Sequence, residues 1–161
     1  MTLAEYNLCV ELYADGIYRF LLKNLRNAVL AEDMVQDSFE KLWKHYTEVN
    51  YQKAKSYLFT TAYHTMIDSI RKSHRNEELE EAAYVCDKRT DSYSDLGEVI
   101  QKAVDLLPSI QRSVVLLRDY EGYNYQEIET ITGLNESQVK VYIYRARQFL
   151  KNYIGSLENV I

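Results

Sequence analysis

Tyr123-Asn124-Tyr125-Gln126-Glu127-Ile128 leads through Ile131-Thr132-Gly133-Leu134-Asn135 to Lys140-Val141-Tyr142-Ile143-Tyr144-Arg145-Ala146-Arg147. The spacing predicts a short helix, a tight turn marked by Gly133, and a second helix. Asn135 with Gln138 three residues on makes a capping-box-like start for that second helix. At about 100° per residue, Val139, Ile143, Ala146 and Leu150 fall on one side and are expected to be buried. Ser137, Lys140, Val141, Tyr144, Arg145 and Gln148 fall on the other side, with Arg147 near the boundary. Two short helices joined by a Gly turn present the second as a rod that can enter a major groove. Lys140, Arg145, Arg147 and Lys151 face the single acid Glu136 along it. Such cations pair with guanine edges or phosphates, and Tyr144 and Val141 suit thymine methyls or sugar. The competing reading is an amphipathic helix pair in a bundle, whose cations only solvate a face.

The rest of the chain reads as helical too. Only five Gly and one Pro punctuate 161 residues, and alternating β-branched runs are few, so an all-α protein is expected. Hydrophobic residues at 47% suffice for packed cores. No apolar run approaches the roughly 20 residues that span a bilayer, and the first residues lack the basic start of a secretory signal. A cytoplasmic chain without membrane insertion is expected. Cys9 and Cys86 stand alone, so neither a disulfide framework nor a metal site is expected, and no cofactor.

A net charge of −5 looks wrong for a nucleic-acid binder until it is divided along the chain. Residues 1–76 hold ten Lys+Arg against nine Asp+Glu, and residues 101–161 hold seven against seven. Residues 77–100 hold two against eight, so the acidity sits in one middle segment. Steering depends on that distribution and not on the total. The chain therefore divides into two small helical modules, 1–76 and 95–161, joined by an acidic linker over 77–94. A short helix from about Glu77 to Ala83 is compatible with that linker.

Three helices are predicted in the first module: about Thr2 to Leu25, Ala28 to His45 with Asn27 as N-cap, and Lys53 to Ser73. On the second, Ala31, Met34, Val35, Ser38, Phe39, Leu42 and Trp43 form the apolar stripe. Opposite lie Asp33, Gln36, Asp37, Glu40 and Lys44. This carboxylate row reads either as a solvated face or as a docking surface for a basic partner. The third helix is expected to bury Tyr57, Leu58, Thr61, Ala62, Met66, Ile67 and Ile70. It interleaves Lys53, Lys55, His64, Asp68, Arg71, Lys72 and Arg75 with Tyr51, Tyr57, Phe59 and Tyr63. Cations with aromatic faces suit single-stranded bases, or else the aromatics are core and the cations surface. In the second module helices are predicted at about 95–106, 109–120, 124–131 and 136–153, with Pro108 opening the second of these. His45, His64 and His74 are not spaced as ligands, and no nucleophile or Gly-rich phosphate loop accompanies the carboxylates, so no enzyme is expected.

Taken in order, these segments resemble a bacterial RNA polymerase sigma factor of the extracytoplasmic-function type. Ala31-Glu32-Asp33-Met34-Val35-Gln36-Asp37-Ser38-Phe39 with Leu42-Trp43 is similar to the family's core-binding helix. Leu58-Phe59, Ala62-Tyr63-His64 and Asp68-Ser69-Ile70-Arg71-Lys72 resemble its −10-element helix. Leu107-Pro108, Gln111-Arg112, Tyr120-Glu121-Gly122-Tyr123, Glu127-Ile128 and Val139-Lys140 to Arg145-Ala146-Arg147 resemble its −35-reading module. The likeness runs over roughly residues 9–76 and 96–153.

The resemblance implies that Asp33, Gln36, Asp37 and Glu40 dock on the clamp helices of the largest subunit of core RNA polymerase. It implies that the loop around Tyr46–Lys53 holds a flipped base, with Tyr51, Lys53, His64, Asp68, Arg71 and Lys72 at the opened −10 DNA. Extracting that base costs about a few kcal/mol, so both modules must contribute binding energy. Promoter duplex at −35 would be read by Gln138, Lys140, Val141, Tyr144, Arg145 and Arg147. The acidic linker would lie in the RNA-exit path, and a membrane-associated anti-sigma factor is the family's usual restraint. His64 stands where the family often has Asn, Thr60 where Arg is common, Glu129 for a frequent Ala, and Ser137-Gln138 for a frequent Gly-Thr. The alternative is a freestanding helix-turn-helix regulator whose first module dimerises or senses. A structural helical adaptor, a third option, would have no salt-sensitive affinity for DNA.

Overall fold

Thr2 opens the first helix, α1 (Leu3–Leu25), with a reciprocal capping box: its Oγ1 accepts from the Glu5 N–H at 3.2 Å, and Glu5 Oε2 accepts from the Thr2 N–H at 2.8 Å. The helix stops at Arg26, whose left-handed backbone (φ 56°) turns its N–H onto the Leu22 carbonyl at 2.8 Å. Asn27 then caps α2 (Ala28–His45), its Oδ1 accepting from the Leu30 N–H at 3.1 Å. A two-residue link thus folds α2 back on α1. A single 3-10 turn at Tyr51–Lys53, capped by Asn50, leads into α3 (Ala54–Leu79). The computed structural model describes residues 1–79 and 95–158, all helix and connection with no strand among them.

Each of these three helices packs on the other two. Their shared core is Ile17, Phe20 and Leu21 from α1, Ala31, Met34, Phe39 and Leu42 from α2, and Leu58, Phe59, Ala62, Tyr63, Met66 and Ile67 from α3. Burying each large side chain contributes about 1.5–3 kcal/mol. The polar groups that enter are satisfied: Ser38 Oγ donates to the Met34 carbonyl and Asn24 Nδ2 to the Phe20 carbonyl, both at 2.8 Å.

Trp43 was expected in the buried stripe of α2, yet it is 47% exposed. It sits at the stripe's edge, where the Tyr6 ring and the stacked Tyr46 ring each lie 5.1 Å from it. Val35 on α2 and Tyr57, Thr61 and Ile70 on α3 are half-buried, while Phe59 and Tyr63 are core residues and cannot stack on bases. The third helix runs on to Leu79, past the expected end at Ser73. Its last turn takes in residues 77–79, the start of the acidic linker expected over 77–94, and the rest of that segment, Cys86 included, lies outside the described residues.

The chain divides into two compact units, Met1–Asp87 and Lys88–Ile161. In the second, α4 (Asp95–Leu106), α5 (Ser109–Val115) and α6 (Tyr125–Thr132) all pack on α7 (Glu136–Glu158). Pro108 takes the cap position, just before the first helical residue. The helix expected over 109–120 keeps α-geometry only to Val115 and closes as a π-turn, Leu116–Tyr120. Asn124 and Glu127 form the capping box of α6 (2.8 and 3.3 Å), and Gly133 ends it at φ 76° with its N–H on the Glu129 carbonyl at 2.8 Å. A left-handed C-cap of this kind suits glycine, which has no Cβ to clash. Asn135 Oδ1 accepts from the Gln138 N–H at 2.8 Å and Gln138 Oε1 from the Asn135 N–H at 3.0 Å, so the expected capping box of α7 forms.

Candidate nucleic-acid interface

Helix α7 buries Val139, Ile143 and Ala146 against its three neighbours, with Leu150 packed at the edge. That leaves Val141, Tyr144, Arg145 and Gln148 directed away from the core. Tyr144 is 64% exposed, far more than a tyrosine kept for packing. Arg145 has neither an ion pair nor a hydrogen bond among the described residues. Gln138 uses its carbonyl oxygen in the cap, which turns its NH₂ outward as a donor.

Two of the expected readers are engaged within the unit. Lys140 Nζ lies 2.7 Å from Glu136 Oε1 and 5.7 Å from the centre of the Tyr125 ring. The hydrogen bond and charge of Lys140 hold the Glu136 carboxyl below its usual range and raise the lysine in return. Both are solvent-washed, so the pair is weak and can open to a phosphate. Arg147 is held more firmly: Nε and Nη2 donate to the two Asp119 oxygens at 3.1 and 2.6 Å. The Asp119 hydrogen bond, more than its charge, raises the guanidinium above its ordinary range. Arg118, next in the π-turn, donates to the Tyr123 carbonyl at 2.9 Å and places its guanidinium 4.9 Å from the Tyr125 ring centre. Arg118 and Asp119 had no part in the reading of the sequence, where Tyr125 figured only in the first helix and Glu136 only as the one acid among the cations of the second. The only local signal was the position of Arg147, which on a helix lies closer to Ile143 than to Arg145 in azimuth.

In the first unit, Lys53, His64, Asp68, Arg71 and Lys72 are exposed, and Tyr51 is half-buried. On α3, His64, Asp68, Arg71 and Lys72 recur at the three-to-four spacing that aligns them along one side. The His64 ring meets the edge of buried Tyr63 at 5.4 Å, which anchors it to the core. Burial raises the Tyr63 hydroxyl pKa despite the opposing charge of Arg71. Asp33, Gln36, Asp37 and Glu40 are all exposed on one side of α2, where Lys44 pairs with Glu40 at 3.2 Å. Among the described residues no group of His, Cys, Asp and Glu is placed to hold a metal, and no helix is long and apolar enough to cross a membrane.

Comparison with known proteins gives this arrangement its class. Sigma-70 region 2 matches residues 9–76 and Sigma-70 region 4 matches residues 97–150, together well over half of the chain. The ECF RNA polymerase sigma factor SigM of Bacillus subtilis is 28% identical over 146 residues, spanning 88% of this chain and 90% of its own. The RNA polymerase sigma factor SigV of the same organism is 27% identical over 146 residues, spanning 89% and 87%. Among solved structures, the sigma factor RpoE from Bartonella quintana, crystallised with the anti-sigma factor NepR, shares the fold at TM-score 0.79 and 22% identity over 93% of this chain and 96% of that one. The chain belongs to the sigma-70 family, as a member of its extracytoplasmic-function group. It is an alternative sigma factor, the subunit that binds core RNA polymerase and directs it to promoters to begin transcription. The freestanding-regulator reading loses its footing, because residues 9–76 match region 2 and not a sensing or dimerisation domain.

Proposed function

We propose a division of labour among the exposed side chains. Asp33, Gln36, Asp37 and Glu40 dock α2 on the clamp helices of the largest polymerase subunit. Tyr51, Lys53, His64, Asp68, Arg71 and Lys72 engage the opened −10 element. Gln138, Lys140, Val141, Tyr144 and Arg145 read the −35 duplex. The observation that supports this is that all of these residues are exposed except Tyr51, which is half-buried; none is consumed by a core. The protein supplies binding and positioning, and the chemistry of RNA synthesis stays with core polymerase. It acts in the cytoplasm, where that partner is. An anti-sigma factor is a further partner, in line with the NepR-bound state of the structural neighbour; recovery of no inhibitor in crosslinked pulldowns would remove it.

The −35 assignment is tested on the full chain bound to core polymerase, with the duplexes that this complex selects from a randomised pool. Arg145→Ala is expected to weaken the selected duplex about tenfold and to relax discrimination at one base pair, as loss of a base-reading arginine does. Tyr144→Ala is expected to weaken it less and to spare that base pair. Wild-type affinity in Arg145→Ala would contradict the assignment.

A further inference from the structure

We propose that Asp119 and Arg147 form a clasp that sets the rotation of α7 about its own axis, which makes Arg147 a positioning residue for promoter reading and not a contact to phosphate or base. The proposal rests on α7 being the duplex-facing helix. Arg147 lies one turn after buried Ile143, about 40° round the helix from it and on the far side from Val141. It therefore points toward the rest of the unit while Tyr144 and Arg145, three and two residues earlier, point away.

The clasp has the geometry such a role needs. Two parallel charge-assisted bonds, 3.1 Å from Nε to Oδ2 and 2.6 Å from Nη2 to Oδ1, fix direction as well as distance. A lysine would fix only distance. The mount is rigid. Asp119 sits in the π-turn, whose Leu116 and Leu117 are buried. The Glu121 N–H closes it onto the Leu116 carbonyl and the Tyr123 N–H onto the Leu117 carbonyl, both at 3.0 Å. Arg118 in the same turn holds the Tyr125 ring, and Lys140 from α7 lies over that ring as well. The reading helix is thus tied to the π-turn directly through Arg147, and Lys140 near its start shares with Arg118 the Tyr125 ring of α6. A rotation of about 20° would carry a side-chain tip at the ~6 Å helix radius by about 2 Å, beyond the tolerance of a base-edge hydrogen bond.

Charge alone predicts the opposite behaviour for one variant. Asp119 is an anion beside a DNA-facing helix, so its removal should strengthen DNA binding if electrostatics decided the matter. The test uses the full chain on core polymerase, with the duplex it selects from a randomised pool and a scrambled duplex of the same composition. Asp119→Asn and Arg147→Gln are each expected to weaken the selected duplex about fivefold. Both are expected to leave the scrambled duplex within twofold and the salt dependence unchanged. The exchanged pair Asp119→Arg/Arg147→Asp is expected to recover most of the loss, with far-UV circular dichroism and melting confirming that each variant is folded.

If Arg147→Gln lowers the salt slope by about 0.9 while Asp119→Asn binds as tightly as wild type or tighter, Arg147 is a phosphate contact and the clasp is overturned. Equal losses on both duplexes overturn it too, because a rotated reading helix loses discrimination before it loses general affinity. A wild-type complex that enriches no duplex from the pool removes instead the reading of α7 on which the clasp depends.

Discussion

Asp33→Lys/Asp37→Lys is expected to lower affinity for purified core RNA polymerase about 100-fold. The two carboxylates are one helical turn apart on the exposed side of α2, and no ion pair among the described residues engages either. Reversal puts two cations where a basic partner surface expects two anions. Juxtaposing like charges at an interface costs several kcal/mol, and about 1.4 kcal/mol is a factor of ten. The fold should survive, since lysine is a better helix former than aspartate and neither position touches the core. Glu11→Lys, a single reversal on exposed α1 surface, serves as the control and should bind as wild type. Equilibrium binding of a fluorescent chain to core polymerase checks the result. A loss under threefold in the double variant would place the docking face elsewhere.

Phe20→Ala is expected to cost about 3–5 kcal/mol of stability, the usual range for emptying a buried phenylalanine site. Phe20 is 1% exposed, and its ring packs 5.8 Å from that of Phe59, so α1 and α3 lose their mutual anchor. For a unit of this size about 1 kcal/mol moves the melting temperature by 4–8 °C, so a drop of more than about 12 °C is expected by circular dichroism. Leu12→Ala, at a side chain 55% exposed, should change stability by less than about 0.5 kcal/mol. Loss of the Phe20 ring should also weaken polymerase binding, because Asp33 and Asp37 ride on a helix that this core holds in place. A small loss of stability would mean that the three helices are not held by this core.

What was legible in the sequence was local. Asn27 and Asn135 announced helix starts because an N-cap is written in one or two residues. The burial of Val139, Ile143 and Ala146 followed from a period of 3.6 and needed no knowledge of the partners. Trp43 was misplaced because periodicity gives the azimuth of a side chain but not where the neighbouring helix stops covering it. Phe59 and Tyr63 stayed ambiguous since an aromatic ring suits a core as well as a base. The π-turn at Leu116–Tyr120 was hidden because one extra residue per hydrogen-bonded ring leaves the apolar pattern almost unchanged. The Asp119–Arg147 pair joins residues 28 apart in sequence, and nothing in either segment names the other.

As a sigma factor, this chain turns core polymerase into a promoter-specific enzyme. The most direct measurement is transcription in vitro from fragments of the chain's own genome by purified bacterial core polymerase, with and without the chain, mapping RNA 5′ ends. A set of starts is expected that appear only with the chain and share two sequence elements at fixed spacing upstream. That set should vanish with Asp33→Lys/Asp37→Lys. A wild-type chain that binds duplex DNA but yields no new starts with core polymerase would contradict it.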